Sequence, residues 1–238
     1  MFDKSISVVI PVYNEFEVIE RTLLYSLTVL SEVVYDFEII VVNDGSNDGT
    51  DIILNRLSAA NNRIRVFHNK KNEGSGASLW KGFKCATKEL VLSNFADRPF
   101  DLADLREVLP LFHKDDIDFV IVVRKDRSAN NLYRKVTSYA NYLLIRTLFN
   151  IKIDDFQFVQ MYKREVFNGI NIISRGTFVP PEIIIRLIHL KRRYKQVKCI
   201  FHKRNEGKSK CGSPKNILNA IKEIVIFKLL TLFRFIIL

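Results

Sequence analysis

The sequence predicts an α/β fold in which a mixed, mainly parallel sheet is flanked by helices. Two stretches indicate this fold, because each is a short β-branched apolar run that ends in a loop and continues into a helix. The first is the strand of residues 6–10, followed by PVYNE, and the second is the strand of residues 38–42, followed by NDGSNDGT. Open α/β sheets bind ligands at the carboxyl ends of their strands, so both loops are candidate site loops.

The alternation of strand and helix continues along the chain. We expect Ser46 or Asn47 to cap a helix that begins near Asp51, because short polar side chains accept hydrogen bonds from the first turn. A chain of 238 residues without repeats or low-complexity linkers is long enough to bury one substantial core. The further predicted elements are strands at residues 63–67, 90–92 and 118–123, and helices through residues 82–86, 102–111 and 134–146.

Charge is divided unevenly along the chain. Residues 1–110 hold 12 basic and 16 acidic side chains, whereas residues 111–238 hold 25 and 10, and the whole chain has a formal net charge of +11. A basic second half favours an anionic partner, such as the phosphates of a ligand or a membrane surface. No nucleic-acid-binding module is recognisable, so we expect no nucleic-acid partner.

Several classes of site are excluded by their missing motifs. Cys85, Cys199 and Cys211 lack metal-ligand spacing, and so sparse and odd a set predicts reduced thiols on the cytosolic side of a membrane. The opening MFDKSISVVI enters the first strand directly and lacks the layout of a signal peptide. Neither GxGxxG after the first strand nor GxxxxGK[ST] occurs, which excludes the common dinucleotide and P-loop sites.

Four motifs in order carry a resemblance to a known family. They are PVYNE at 11–15, NDGSNDGT at 43–50, NEGSGA at 72–77 and ADRPFDL at 96–102. In this order and spacing they resemble the family 2 glycosyltransferases with the GT-A fold, and most of all the branch of dolichyl- and polyprenyl-phosphate sugar synthases. The resemblance covers about residues 5–210 and implies a Rossmann-like GT-A sheet that binds a nucleotide sugar.

The resemblance implies a donor site around the first loops. Asp44 would accept hydrogen bonds from the nucleobase or ribose, since a carboxylate offers several acceptor positions. Where many relatives have Asp-Asp-Gly-Ser, this chain has an asparagine first, which keeps an acceptor and loses a charge. For a UDP- or GDP-sugar, the implied binding residues are Pro11, Tyr13, Glu15, Asn43, Asp44, Gly74, Asp97 and Lys210.

A metal site is implied in a thinner form than usual. Relatives hold Mg²⁺ or Mn²⁺ with an Asp-x-Asp pair, and the ion bridges to the diphosphate of the donor. Alignment on Phe100 and Asp101 places Phe95 at the first Asp of that pair and Asp97 at the second. Three alternatives therefore remain open: a weakened metal site, its partial replacement by basic residues, or a loss of activity. Asp101 is expected to start the next helix.

The second half is implied to hold the acceptor and the leaving group. Guanidinium groups suit phosphate oxygens geometrically, and Arg124, Arg134 and Ser138 are the implied ligands of the acceptor phosphate. The segment RNEGKSK at 204–210 matches a mobile cationic loop that closes over the diphosphate. The alternative is that these cationic residues form a solvent-exposed basic surface that binds no ligand.

The implied catalytic residues come from four separate segments. The pair of Asp155 and Gln157 matches an Asp-x-Gln segment near the transferred sugar, and Glu182 matches an acid that begins a helix under the sugar pocket. The alternative for Glu182 is an ordinary acid in the first turn of a helix. The implied set is Asp97, Asp155, Glu182 and Arg204.

Residues 214–238 are predicted as an apolar helical tail, distinct from a GT-A domain at 1–213. The tail is long enough to span a bilayer, but Lys222, Lys228 and Arg234 fall on different sides of the helix. We therefore expect peripheral or monotopic seating at the cytosolic membrane face, with snorkelling lysines. The alternatives are contact with a membrane subunit, with a second copy of the chain, or with the protein's own core.

The resemblance predicts an enzyme that moves a sugar from a nucleotide sugar to a polyprenyl phosphate of dolichyl or undecaprenyl type, with inversion. One alternative is a glycosyltransferase that acts on a saccharide hydroxyl in cell-surface polysaccharide assembly, where Asp155 or Glu182 would act as base. The other alternative is a catalytically silent subunit that binds nucleotide sugar or acts as a scaffold. Phe95 in the metal motif favours this silent subunit.

Overall fold

The computed structural model describes residues 1–114, 116–125, 132–156, 158–200 and 214–232, apart from the side chains of residues 114, 132–137 and 214–216. One seven-stranded sheet forms its centre, in the order β3-β2-β1-β4-β6-β5-β7. The strands are β1 Ile6–Val12, β2 Phe37–Asn43, β3 Ile64–His68, β4 Leu90–Ser93, β5 Phe119–Arg124, β6 Val159–Lys163 and β7 Tyr194–Cys199.

The sheet is mainly parallel, as predicted. β1 runs parallel to β2 and β4, β2 to β3, and β5 to β7, whereas β6 runs antiparallel to both β4 and β5. The carboxyl ends of the six parallel strands therefore lie along one edge of the sheet, which is called the carboxyl edge below. Because β6 is reversed, the residues that precede it reach the same edge.

Helices cover both faces of the sheet. Alternation along β1 places Ile6, Val8 and Ile10 in one apolar core, which includes residues of α1 and α2, and Val9 in another, which includes residues of α3, α6, α7 and α8. This two-sided burial explains why the central strands are continuous apolar runs. The helices are α1 Ile19–Val33, α2 Thr50–Ala60, α3 Ser75–Cys85, α4 Leu105–Val108, α5 Leu111–Lys114, α6 Leu132–Phe149, α7 Val179–His189 and α8 Pro214–Leu232.

Helix α8 packs against the second core with one of its faces. Ala220, Ile224 and Phe227 are buried, and their spacing of four and three residues places them on one side of the helix. The ring of Phe227 lies 5.5 Å from that of Phe149 in α6 and 5.7 Å from that of Phe178. In the part of the chain that the structure describes, no helix has the length and apolarity needed to cross a membrane.

Two local predictions were wrong. The helix expected at residues 102–111 is a 3₁₀ turn, Leu102–Asp104, followed by α4 and α5, and Pro110 separates these two short helices. Proline lacks the N–H that a continuing helix needs, so the single helix breaks there. Neither Ser46 nor Asn47 caps α2, because their side chains bond Asn14, while Asp48 Oδ1 accepts the N–H of Thr50 at 3.0 Å.

Glu38 anchors the opposite edge of the sheet and gives a prediction about stability. Its Oε1 accepts hydrogen bonds from the Ser7 hydroxyl at 2.7 Å and from the Thr87 N–H at 2.7 Å, and its Oε2 pairs with Arg65. Glu38→Gln is expected to lower the free energy of unfolding by about 2 kcal/mol at pH 7, since it removes the buried charge of an ion pair whose arginine is 36% exposed. Urea unfolding measures this loss, with the exposed Glu107→Gln as control.

The effect of Glu38 on stability depends on pH. Burial raises the pKa of Glu38, but hydrogen bonds from Ser7, Arg65 and Thr87 outweigh it and hold that pKa below the ordinary value of 4.5. The stabilisation is therefore complete above the pKa of the unfolded state and is lost as the pH falls through the lower pKa of the native state. A difference between variant and parent that persists unchanged at pH 2 would contradict this assignment.

Tyr162 gives a prediction of the opposite sign. Its side chain is wholly buried among Phe83, Phe119 and Phe167, and its hydroxyl has no hydrogen-bond partner in the described part of the chain. Tyr162→Phe is expected to raise the free energy of unfolding by about 1 kcal/mol, because it removes a buried polar group that lacks a partner. Thermal and urea unfolding test this, and a loss of stability would reveal a hidden partner.

Candidate functional site

Polar side chains converge at the carboxyl edge of the sheet. Asp44 directly follows β2, Asn69 follows β3, Asp97 lies four residues after β4, and Arg124 ends β5. Asp155 reaches the same edge just before the reversed strand β6. The topology thus joins the residues implied for donor and acceptor along one side of the sheet, in the place where open α/β sheets bind ligands.

The first two loops of this edge are interlocked. The N–H of Asn14 donates to Ser46 Oγ at 2.9 Å, the side chains of Asn14 and Asn47 are joined at 2.9 Å, and the N–H of Glu15 donates to Thr50 Oγ1 at 3.1 Å. Asn14 has a φ of 52°, a left-handed conformation that asparagine tolerates. This arrangement fixes the wall in which the predicted donor residues lie, with Pro11 buried and Tyr13 and Glu15 half-buried.

Asp44 is a buried bracket at the centre of the predicted donor site. It is 2% exposed, and its Oδ1 accepts hydrogen bonds from Asn69 Nδ2 at 2.8 Å and from the Glu73 N–H at 2.9 Å. Its Oδ2 accepts the N–H of Gly74 at 2.9 Å. The carboxylate therefore holds the loop before α3 in place, and its contact with a nucleoside stays a prediction.

Asn43 and the end of β3 form a second polar group. Asn43 Oδ1 accepts the N–H of Ser46 at 3.1 Å, and its Nδ2 donates to His68 Nδ1 at 3.0 Å. His68 Nε2 then carries the proton and donates to Asn55 Oδ1 at 3.0 Å. Asn43 thus shapes the loop through hydrogen bonds of its amide, which explains how the chain accommodates an asparagine at this position.

Asn69 was not among the site residues predicted from the sequence. Its buried amide donates to both Asp44 and Ser78 Oγ, the latter at 3.0 Å, and its Oδ1 accepts from Lys81 Nζ at 2.7 Å. Asn69 therefore joins the end of β3 to α3 and supports the Asp44 bracket. The available signal was its place directly after a strand, at the carboxyl edge.

The loop after β4 carries the implied metal ligand. Phe95 and Asp97 are both half-buried, and the guanidinium of Arg98 stacks on the ring of Tyr25 at 4.4 Å. Asp101 accepts the Tyr25 hydroxyl at 2.6 Å and, as predicted, caps the following 3₁₀ turn. Burial and the nearby Asp101 raise the pKa of Tyr25 to about 12, so Tyr25 stays a donor at neutral pH.

The described residues do not complete a metal site by themselves. Across the ranges that the structure covers, no group of three His, Cys, Asp or Glu side chains is placed to hold a cation. Asp97 supplies one carboxylate, while hard divalent cations take about six oxygen ligands. A Mg²⁺ or Mn²⁺ ion beside Asp97 would therefore depend on phosphate and water oxygens.

Arg124, Ser138 and Asp155 line one small pocket at the acceptor end of this edge. Arg124 Nε and Nη2 contact the two carboxylate oxygens of Asp155 at 2.6 and 3.1 Å, which is a bidentate pair. Asp155 is 2% exposed, and the Arg124 side chain is 14% exposed. The structure thus unites an implied catalytic residue with two implied phosphate ligands.

Glu182 is the most buried of the predicted catalytic residues that the structure describes. Its wholly buried carboxylate accepts the N–H groups of Ile173 and Ser174 at 3.0 and 2.9 Å and pairs with Arg186 at 2.9 Å. This placement favours a positioning role for Glu182 over contact with a substrate. Gln157, Arg204 and Lys210 lie outside the described residues, as does the side chain of Arg134, so their predicted roles stay predictions.

Residues 7–170 match the family described as glycosyl transferase family 2. The chain belongs to this family. Glycosyl transferase family 2 accounts for the four motifs at the carboxyl edge, and the matched region contains every predicted donor residue except Lys210.

Individual relatives agree with the family assignment. The glycosyltransferase AglD of Haloferax volcanii is 29% identical over 190 residues, which are 76% of this chain and 30% of AglD, so the chain spans about a third of that relative. Glucosyl-3-phosphoglycerate synthase from Mycobacterium tuberculosis, in complex with phosphoglyceric acid, superposes with a TM-score of 0.67 at 22% identity, covering 96% of this chain and 79% of that one. The predicted GT-A fold is confirmed.

Further structures of the mycobacterial synthase contain ligands. One holds Mn²⁺, UDP and glucosyl-3-phosphoglycerate, with a TM-score of 0.67, 21% identity, and coverage of 96% of this chain and 79% of that chain. Another holds Mg²⁺ and UDP, with the same TM-score and coverage at 20% identity. At this identity the likeness establishes the shared fold of the two chains.

Proposed function

We propose that this chain is a glycosyltransferase that moves a sugar from a nucleotide sugar to a polyprenyl phosphate. The observation that carries the proposal is the pocket of Arg124, Ser138 and Asp155 at the same sheet edge as Asp44 and Asp97. A guanidinium beside a hydroxyl suits a phosphate, which would share Arg124 with Asp155, while the acidic loops at the other end suit a nucleoside and its diphosphate. Membership in glycosyl transferase family 2 supports the class of reaction.

The donor would lie across the ends of β1, β2 and β4. The Asp44 bracket fixes the backbone of the loop before α3, and this rigid wall orients the nucleoside. Asp97 faces the diphosphate in this arrangement and, with Mg²⁺ or Mn²⁺ bound, would supply one protein ligand to the ion. The ion would contribute charge neutralisation at the leaving diphosphate.

The acceptor chemistry favours a phosphate over a hydroxyl. A phosphate monoester has a second pKa near 6, so at neutral pH it is already a dianionic nucleophile. One of its oxygens would bond to the anomeric carbon of the sugar while the bond to the nucleoside diphosphate breaks, which inverts that carbon. Both carboxylate oxygens of Asp155 are engaged by Arg124, so neither is placed to contact a hydroxyl substrate as a general base would.

Helix α8 supports a location at the cytosolic face of a membrane. The face of α8 opposite its buried residues is exposed and mostly apolar, with Lys222 inside this face and Lys228 at its border. Apolar helix faces bordered by lysines suit the membrane interface. The exposed apolar residues of α8 are Leu218, Ile221, Val225, Ile226, Leu229 and Leu232.

The test is nucleotide release from a panel of UDP- and GDP-sugars, with and without a short polyprenyl phosphate, in Mn²⁺, Mg²⁺ or EDTA. Release that requires the lipid phosphate is the expected result, and the active donor identifies the sugar. If nucleotide is released with a free saccharide as acceptor but not with the lipid phosphate, the polysaccharide alternative replaces this proposal.

Phe95 favours a second candidate, a catalytically silent subunit that binds nucleotide sugar. Phe95→Asp would restore the second carboxylate beside Asp97 and tests this directly. A large metal-dependent gain of activity from an inactive parent would establish a degraded site. Activity in the parent that Phe95→Asp leaves unchanged would show that the native site works without this ligand.

A further inference from the structure

Residues 173–176, called the strap below, are held by two carboxylates from different helices. The first two N–H groups of the strap donate to Glu182 of α7, at 3.0 and 2.9 Å. The last two donate to a single oxygen of Glu223 of α8, at 2.9 and 2.8 Å. Four consecutive backbone donors are thereby satisfied by side chains instead of by a helix or a sheet.

The other side of the strap lies directly on the start of α3. The carbonyl of Arg175 accepts the N–H of Ala77 at 2.7 Å, which satisfies a donor in the first turn of the helix. A Cβ added to Gly74 would lie 2.9 Å from that carbonyl, and one added to Gly76 would lie 1.9 Å from the carbonyl of Gly176. Backbone therefore packs on backbone with no side chain between them.

The start of α3 is also held by Asp44, which accepts the N–H groups of Glu73 and Gly74. Contacts thus run without interruption from α8 through the strap to the loop of the predicted donor site. Glu223 is the contact that α8 contributes to this series, and it lies more than 140 residues from Gly74 in sequence.

The environment of Glu223 indicates that its side chain serves to hold the strap. Its Oε2 is buried without a hydrogen-bond partner among the described residues, so the carboxylate is less well satisfied than it would be in water. Its neighbour Ile224 is wholly buried in the apolar core and packs the helix there. The Glu223 carboxylate adds nothing to this apolar packing. Within the described part of the chain, the two hydrogen bonds that Glu223 accepts both come from the strap.

We propose that Glu223 is a positioning residue through which the seating of α8 sets the donor loop. With Glu223 in place, the strap presses on Gly74 and Gly76 and fixes the first turn of α3 against Asp44. When α8 shifts, the strap loses two hydrogen bonds and the loop before α3 loses its support. The part of this inference that concerns the donor rests on the function proposed above.

Hydrogen exchange tests the coupling without any ligand. In Glu223→Ala, the backbone amides of residues 73–77 are expected to exchange roughly tenfold faster, although none of them touches Glu223. Glu223→Gln keeps an acceptor for the strap and is expected to restore the parent rates. Leu57→Ala, which removes a buried side chain of the other core, lowers global stability without reaching the strap and is the matched control.

Nucleotide affinity gives the second readout. Glu223→Ala is expected to weaken binding of UDP or GDP by roughly tenfold and to raise KM for the donor more than it lowers kcat. Unchanged exchange at residues 73–77, or an equal increase in Leu57→Ala, would overturn the inference. If the parent protein binds neither nucleotide, the proposed function fails, while the exchange rates still decide whether α8 sets this loop.

Discussion

Asp97→Asn is expected to lower the rate of sugar transfer by about 100-fold or more. The stabilisation of a leaving diphosphate by a carboxylate-bound divalent ion amounts to several kcal/mol, and about 1.4 kcal/mol corresponds to a factor of ten in rate. Asp97 is the one carboxylate left in this motif, because Phe95 stands at the other position. Initial rates with saturating Mn²⁺ or Mg²⁺ measure the effect.

The control for this substitution is Asp101→Asn in the same loop. Asp101 accepts hydrogen bonds from Tyr25 and Ala103, and asparagine retains most of this capping ability. The affinity for nucleotide should therefore stay near the parent value in Asp101→Asn. In Asp97→Asn, the affinity should no longer depend on added Mn²⁺ or Mg²⁺. If Asp97→Asn weakens binding equally in EDTA and in Mn²⁺, Asp97 does not act through a cation.

The second large expected effect is a loss of stability when the ion pair of Arg124 and Asp155 is broken. Arg124→Met and Asp155→Asn are each expected to lower the free energy of unfolding by about 3 kcal/mol, because each leaves an uncompensated charge in a buried place. The double variant is expected to lose much less than the sum of the two. Urea unfolding of the four proteins in the cycle gives this coupling energy directly.

The same variants report on the acceptor. Arg124→Met is expected to raise KM for a polyprenyl phosphate by roughly tenfold, a loss typical of one charge-assisted contact. KM for the nucleotide sugar should stay near that of the parent. Arg106→Met, an exposed arginine on α4, is the matched control. An additive cycle together with an unchanged acceptor KM would remove Arg124 and Asp155 from the acceptor site.

The first five strands, β1 to β5, were predictable from local patterns, whereas β6 and β7 were not predicted. The runs at 6–10 and 38–42 are apolar on both faces because both faces of the sheet are covered, and β1 and β2 extend them by only a few residues. The loops that follow them were also assigned correctly to one edge. Apolar periodicity and turn residues are local signals, so one sequence suffices to find them.

The partners of the site residues were not predictable in this way. Arg124 and Asp155 are separated by 31 positions, and they meet only because β6 runs opposite to its neighbours. Ser46 looked like a helix cap, but its hydroxyl is taken by Asn14 from another loop. These outcomes depend on tertiary contacts that no local pattern encodes.

The order of the strands gives the molecule an electrical polarity. The acidic first 110 residues form β1 to β4, one side of the sheet, whereas the basic remainder forms β5 to β7, the other side. In the described part of the chain, β7 and the turn before it expose five basic side chains, which makes the β7 end of the sheet positive and gives the sheet a dipole along its width: Lys191, Arg192, Arg193, Lys195 and Lys198. An anionic surface exerts a torque on such a dipole and turns the β5–β7 side toward itself before any contact forms. Added salt should slow this capture.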